Sequence, residues 1–234
     1  MKKGIYLLGF WSGIIAGSAT VAYVIVQLLQ VARLLTFPLD EILIYGTSLL
    51  IVIPFLLAML ALYHQTPAEK KIWAHGALLF SIIYAVFVTA NYVVQLATVI
   101  PMKLNGAVNQ VSLLEQTPHS MFWNFDAIGY IFMGLATVIA IPAFERTGFQ
   151  KWVRISFIAN AMVTPLITVV YFYPVFSEKL LVLGYPWAIT APLFMFMLAI
   201  MFRNKLKAEE NNVVRNPKIV LEKNKQSITA STAL

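Results

Sequence analysis

Six stretches of about twenty apolar residues recur along the chain, separated by short polar segments, and no other feature restricts the fold as strongly. A helix rising about 1.5 Å per residue needs about 20 such residues to cross a hydrocarbon layer about 30 Å thick. The stretches run from Gly4 to Ala32, Ile42 to Leu62, Trp73 to Ile100, Phe125 to Phe144, Ile155 to Phe176 and Leu180 to Phe202. Pro54, Pro142, Pro165 and Pro192 interrupt four of them. Proline is tolerated in such helices because neighbouring helices re-satisfy the freed backbone groups. The pattern predicts an all-α fold, a polytopic membrane helical bundle of six transmembrane helices. The fifth and sixth stretches lie so close that a tight hairpin is expected between them, around Ser177-Glu178-Lys179.

Composition points the same way. Of 234 residues, 60% are hydrophobic and only 12% charged, too apolar a balance for a soluble domain of this size to hide. The first stretch follows Lys2 and Lys3 in the manner of a signal peptide, and Ala16-Gly17-Ser18-Ala19 offers small residues for cleavage. Its apolar run exceeds the usual signal core of about 7–15 residues, so it reads as a retained helix.

Lysine and arginine collect on the cytoplasmic side of membrane proteins. With the N-terminus inside, the inner segments hold 14 of the 17 basic residues and the outer ones only Arg33, Lys103 and Lys179. Six spans then place both termini in the cytoplasm, at the cell membrane. The expected organisation is a six-helix transmembrane domain, 1–202, and a basic cytoplasmic tail, 203–234, whose polar composition predicts disorder. Arg203, Lys205 and Lys207 stand where the last helix leaves the bilayer and are expected to meet lipid headgroups. Because the basic residues follow the topology, the charge of +7 does not indicate a nucleic-acid partner.

Polar side chains inside lipid are costly and face the bundle interior, so they mark buried faces. Gly9, Gly13 and Gly17 lie on one face of the first helix, a ladder of small residues suited to close helix packing. Thr20, Tyr23, Gln27 and Gln30 continue that face. The third helix has Tyr84, Asn91, Gln95 and Thr98; the fourth Asp126, Tyr130, Met133 and Thr137; the fifth Asn160, Thr164, Thr168 and Tyr171. Helices two and six lack such a stripe and are expected at the periphery. Between Pro101 and Thr117, Val108, Val111, Leu113 and Leu114 suggest a short amphipathic piece capping the bundle.

Most of these polar groups fall in the outer half. They predict an outward-facing polar cavity that binds or passes a small molecule, lined by Gln27, Gln30, Asn91, Gln95, Asp126 and Tyr171, with Arg33 and His119 near its mouth. Asp126 is expected to pair with Arg33. Two alternatives stay open: an accessory subunit packed against a membrane partner, and an enzyme acting on a lipid or isoprenoid substrate through Asp126 and His119. The motifs favour no enzyme. There is no cysteine, no phosphate-binding GxxxxGK[ST], no HExxH and no GxSxG, and no catalytic residue, cofactor or metal is expected. The partners implied are the lipid bilayer and an unidentified small molecule or membrane protein.

Overall fold

A computed structural model describes residues 2–215 of the chain. Six helices among these residues are long and apolar enough to cross a membrane. They are α1 (Lys2–Val31), α2 (Leu39–Gln65), α3 (Lys71–Val94), α4 (Met121–Ala140), α5 (Gly148–Phe172) and α6 (Trp187–Arg215). A π turn, Gln95–Val99, and a last segment, Ile100–Leu104, carry α3 further. Pro101 has no N–H to offer the Ala97 carbonyl, and the helix widens just ahead of it, with Ile100 N–H reaching back to Gln95 O.

Local chemistry sets the helix ends. In α1, Leu34 N–H bonds to Leu29 O at 2.9 Å and Arg33 N–H to Gln30 O at 2.8 Å, with Arg33 at φ 57, a left-handed C-terminal cap. Asp40 and Glu41 open α2, where carboxylates complement the helix dipole. Its end falls at Thr66, held extended ahead of Pro67. Ser120 caps α4 by accepting from Trp123 N–H at 3.1 Å.

Each helix packs against the next in sequence, and α6 closes onto α1, so the six form an antiparallel ring. Both described ends of the chain lie on one side, where Lys3 meets Glu210 at 3.1 Å. That side, here the terminal end, also holds the α2–α3 and α4–α5 connections, bridged by Lys70 and Glu145 at 2.7 Å. The glycine ladder seats α1 against α6. A Cβ on Gly13 would stand 2.9 Å from Ala199 Cβ and 3.0 Å from the Met195 carbonyl, and one on Gly17 would meet the Phe196 ring at 2.7 Å.

The ring is filled by aromatic side chains from all six helices. Tyr45 of α2 packs on Tyr92 of α3, Phe55 joins Tyr84 to Phe194, Phe194 meets Phe157 edge-on, and Tyr130 meets Trp187, which meets Tyr23. Apolar side chains such as Ile15, Leu28, Ile53, Val86, Met162 and Ile189 are exposed on the outer surface. Such a surface suits lipid.

Three expectations need correction. Helices α2 and α6 are not peripheral: Phe55, Met59 and Leu62 of α2 and Phe194, Met195 and Leu198 of α6 are fully buried. A polar stripe is sufficient to mark an inner face but not necessary, since apolar side chains fill the interior as readily. The fifth and sixth helices are not joined by a tight hairpin. The chain from Tyr173 to Pro186 makes two short helical turns, Glu178–Leu181 and Val182–Gly184, and α6 starts only after Pro186. Finally, α6 continues through the boundary expected at Phe202 as far as Arg215. Leu206, Lys207, Ala208, Glu209 and Glu210 are strong helix formers, and the Lys3–Glu210 pair ties this extension to α1. The rest of the expected tail, 216–234, lies outside the described residues.

Replacing Gly13 by Leu should lower the detergent-solubilised protein's stability by about 1–3 kcal/mol or more, because backbone and Ala199 leave no room. Gly46→Leu, facing open space, should leave it unchanged or slightly raised. Thermal melting of the two variants checks the contrast.

Candidate functional site

The polar residues singled out above gather at the end opposite the termini, beneath the segment joining α3 to α4. Asn91 and Gln95 stand one turn apart on α3 and are both 0% exposed. Asn91 Nδ2 donates to Asp126 Oδ1 at 3.3 Å and to Gln116 Oε1 at 2.8 Å. Gln95 holds the connecting segment by its backbone. Its Nε2 donates to Leu114 O at 2.8 Å and its Oε1 accepts from Gln116 N–H at 3.2 Å. The segment is thus a loop pinned over the bundle, with Val111 tucked beneath it and Leu113, 82% exposed, on top.

Asp126 lies in the second turn of α4 and is 2% exposed. The Tyr171 hydroxyl of α5 donates to its Oδ2. Tyr171 is itself placed by Trp123, whose ring stacks at 4.6 Å and whose Nε1 donates to the Tyr171 carbonyl at 3.3 Å. Below the carboxylate, the Tyr92 and Tyr130 hydroxyls meet at 3.1 Å. The donors given to Asp126 by these contacts are neutral, and among the described residues it forms no ion pair.

A second polar group lies at the same end. Lys103 reaches Glu41 of α2 at 2.9 Å and Glu115 of the loop at 2.7 Å. Gln30 of α1 donates to Asp40 Oδ2 at 2.8 Å. Together these bonds tie α1 to α2, and α2 to α3 and the loop.

The structure brings together Asn91, Gln95, Asp126 and Tyr171. Gln30 is engaged with Asp40, and Gln27, exposed, donates to the Tyr23 hydroxyl at 2.7 Å. The expected Asp126–Arg33 pair is not formed. Arg33 terminates α1 in a left-handed turn and is exposed. His119 likewise has positive φ, 67, and is exposed just ahead of the α4 cap, taking no part in the cluster. Nor is the arrangement an open cavity: its amides and carboxylate are buried and covered by the loop.

Helical spacing in the sequence does not reveal Gln116, Lys103, Glu115, Glu41 and Asp40 as members of these groups. The first three sit in or beside a loop, where helical spacing carries no information, and the last two occupy the first turn of α2, where they read as ordinary dipole partners. At the terminal end, Lys205 lines a shallow cleft of about 320 Å³ with Gln150 and Asn204, while Arg203 and Lys207 are exposed. Among the described residues no group of three or more His, Asp or Glu side chains is placed to hold a metal ion.

Comparison with protein families, with curated proteins and with solved structures finds no match to this chain. The chemistry of the site is therefore argued from its own geometry.

Four buried polar atoms in this half have no partner among the described residues: Asn91 Oδ1, Asp40 Oδ1 and the Tyr84 and Ser48 hydroxyls. The Asn91 amide is oriented by Asp126: reversed, its oxygen would face Asp126 Oδ1, a carboxylate acceptor, at 3.3 Å. A buried polar atom left alone costs about 1–3 kcal/mol.

Gln95→Leu should free the loop, since it removes both bonds to the Leu114 and Gln116 backbone. The expected result is faster amide hydrogen exchange across residues 107–117 and a stability loss of about 1–3 kcal/mol, with exchange in α5 little changed.

Proposed function

We propose that this chain is a six-span membrane protein that binds a small molecule at the end opposite its termini, in the space around Asp126, Asn91 and Tyr171. The loop between α3 and α4 covers these residues and must lift for the molecule to enter. One observation carries the reading: a buried carboxylate held only by neutral donors, beside a buried amide oxygen that nothing in the described fold satisfies. A network whose only purpose was to join helices would gain by pairing every member, because half-satisfied polar networks in a low-dielectric interior are worse than apolar packing.

The orientation proposed with it has the termini in the cytoplasm of the cell membrane and the loop outside. It rests on the basic residues: of the 14 among the described residues, all but Arg33, Lys103 and Lys179 belong to segments on the terminal side. The site would then face the exterior, and Lys103, with Glu41 and Glu115, would act as the latch that holds the loop down.

The chain has no cysteine, so single-cysteine labelling needs no altered background. In intact cells, a membrane-impermeant maleimide should label Leu113→Cys at once and Glu69→Cys only after permeabilisation. The reverse pattern would invert the topology and place the site in the cytoplasm.

For binding, thermal unfolding of the detergent-purified protein would be followed against a broad panel of cationic, neutral and anionic metabolites, in parallel on Asp126→Asn. A ligand confined to the folded state stabilises it by about 2.7 kcal/mol at a hundred times its dissociation constant. At least one compound should raise the melting temperature of the wild type and lose that effect in the variant. A panel without any shift, joined to strong destabilisation by Asp126→Asn, would reduce the cluster to a helix-joining network.

A further inference from the structure

We infer that the molecule bound beneath the loop is a protonated amine, its ammonium group on Asp126. This rests on the reading of the site as a small-molecule site and adds the ligand's chemical class.

The first argument is the kind of group that is missing. Of the buried atoms in this half that lack a partner among the described residues, Asn91 Oδ1 and Asp40 Oδ1 can only accept, while the Tyr84 and Ser48 hydroxyls can accept or donate. What would complete Asn91 Oδ1, the one beside Asp126, is a donor, and an ammonium group carries up to three N–H donors and no acceptor.

The second argument is charge. Asp40, Glu41, Glu115 and Asp126 are buried or half-buried at this end, and the one lysine among them, Lys103, is engaged by Glu41 and Glu115. Arg33 and Lys179 are exposed and enter no ion pair. Positive charge is therefore short around Asp126. An anionic solute would meet repulsion there, and a neutral one would leave the carboxylate without a counter-charge. An ammonium group supplies both the charge and the hydrogen bonds, in the charge-assisted form that is strongest.

The third argument is the wall. Trp123, Tyr171 and Tyr130 stand about the carboxylate or one turn below it, and Trp187 packs edge-on against Tyr130 at 5.1 Å. Aromatic faces attract cations and accept the carbon skeleton of an organic one. A bare alkali ion would gain little from such rings and wants more oxygen ligands than Asp126 and Asn91 supply.

The test uses matched compounds that differ only in the polar group: 2-phenylethylamine, 2-phenylethanol and phenylacetate, with the shorter butylamine, butanol and butyrate. Each is added to the full-length detergent-purified protein at pH 7, with sodium chloride and potassium chloride as further arms. The amines should raise the melting temperature saturably, with their alcohols and carboxylates inert. Asp126→Asn should weaken amine binding at least tenfold. Should that variant fail to fold, Tyr171→Phe serves instead. It keeps the ring and removes a donor that also stabilises the carboxylate, so the readout there is selectivity: the amines should still bind more tightly than their alcohols and carboxylates, and loss of that preference would contradict an ammonium on Asp126. A shift from the alcohols, the carboxylates or the salts alone, or from none of these while another compound class in the broad panel shifts the protein, overturns the amine and leaves the site standing. A broad panel with no shift at all removes both.

Discussion

The contact between α1 and α6 is the one on which the rest of this fold depends. Consecutive helices joined by short connections pack as antiparallel neighbours almost by default. Joining the first helix to the last is different, because nothing in the local chain brings them together. Here Gly9, Gly13 and Gly17 present a groove to Phe202, Ala199 and Phe196, and the backbones approach closely enough that a single methyl group on Gly13 would crowd a carbonyl oxygen. In lipid, where burying apolar surface between helices yields little, such close packing is a principal source of association. Without it the six helices would form an open sheet of hairpins, and α5 and α6 would have no fixed place relative to α1 and α2.

Ring closure creates an interior, and the two halves of that interior are filled by different means. Toward the terminal end, Phe55, Phe157, Phe194, Met195 and Leu198 interlock; apart from Asn160 and its partners, the buried polar groups there are short hydroxyls such as Ser81 and Ser156, which bond carbonyls of their own helices. Toward the other end, aromatic residues carry hydroxyls, and Tyr45, Tyr84, Tyr92 and Tyr130 lead up to the layer of amides and the carboxylate. The loop closes this layer from above through backbone bonds to Gln95. The polar end is therefore held by fewer apolar contacts and more hydrogen bonds to a loop. Segments of that kind open at lower free energy than a packed helical core. The rigid half sets the spacing of α3, α4 and α5, and the other half can open without disturbing it.

Much of this was legible in the sequence, and the boundary of legibility has a physical cause. The six apolar stretches follow from bilayer thickness and helix rise, and the helices found lie within a few residues of them except at the start of α5, seven residues early at Gly148, and at the start and end of α6. The side chains at Asn91, Gln95, Asp126 and Tyr171 share inner faces because polar groups in lipid have few other places to go, and helical spacing reveals a face. Spacing says nothing of which face meets which helix. Arg33 was paired with Asp126 on depth and charge alone, whereas its left-handed backbone ends α1 and leaves it exposed. Loop residues escape the argument altogether: Gln116 completes the network from a segment with no period to read. The inner position of α2 and α6 was hidden for a related reason, since in a chain this apolar an inward-facing Leu and a lipid-facing Leu look alike.

The contrast between the two buried asparagines sharpens what the polar end is for. Asn160, in the packed half, is complete: its Nδ2 donates to Thr137 at 3.4 Å and its Oδ1 accepts from Thr190 at 3.1 Å, joining α4, α5 and α6. The fold can evidently satisfy both ends of an amide when its role is to hold helices together. Asn91 is just as buried, and both of its Nδ2 bonds go to acceptors, yet its oxygen is left alone beside a carboxylate with no cation. An isosteric leucine at 91 would remove the orphan, and an asparagine at 126 the charge. Neither stands there, although α2 and α6 show that this ring closes well on apolar side chains. Unpartnered acceptors occur at the terminal end as well, on Gln65 and Glu209, but that of Asn91 lies beside a buried carboxylate at the end a loop can uncover, and that pair asks for a donor with positive charge, which no side chain in the described cluster has to spare.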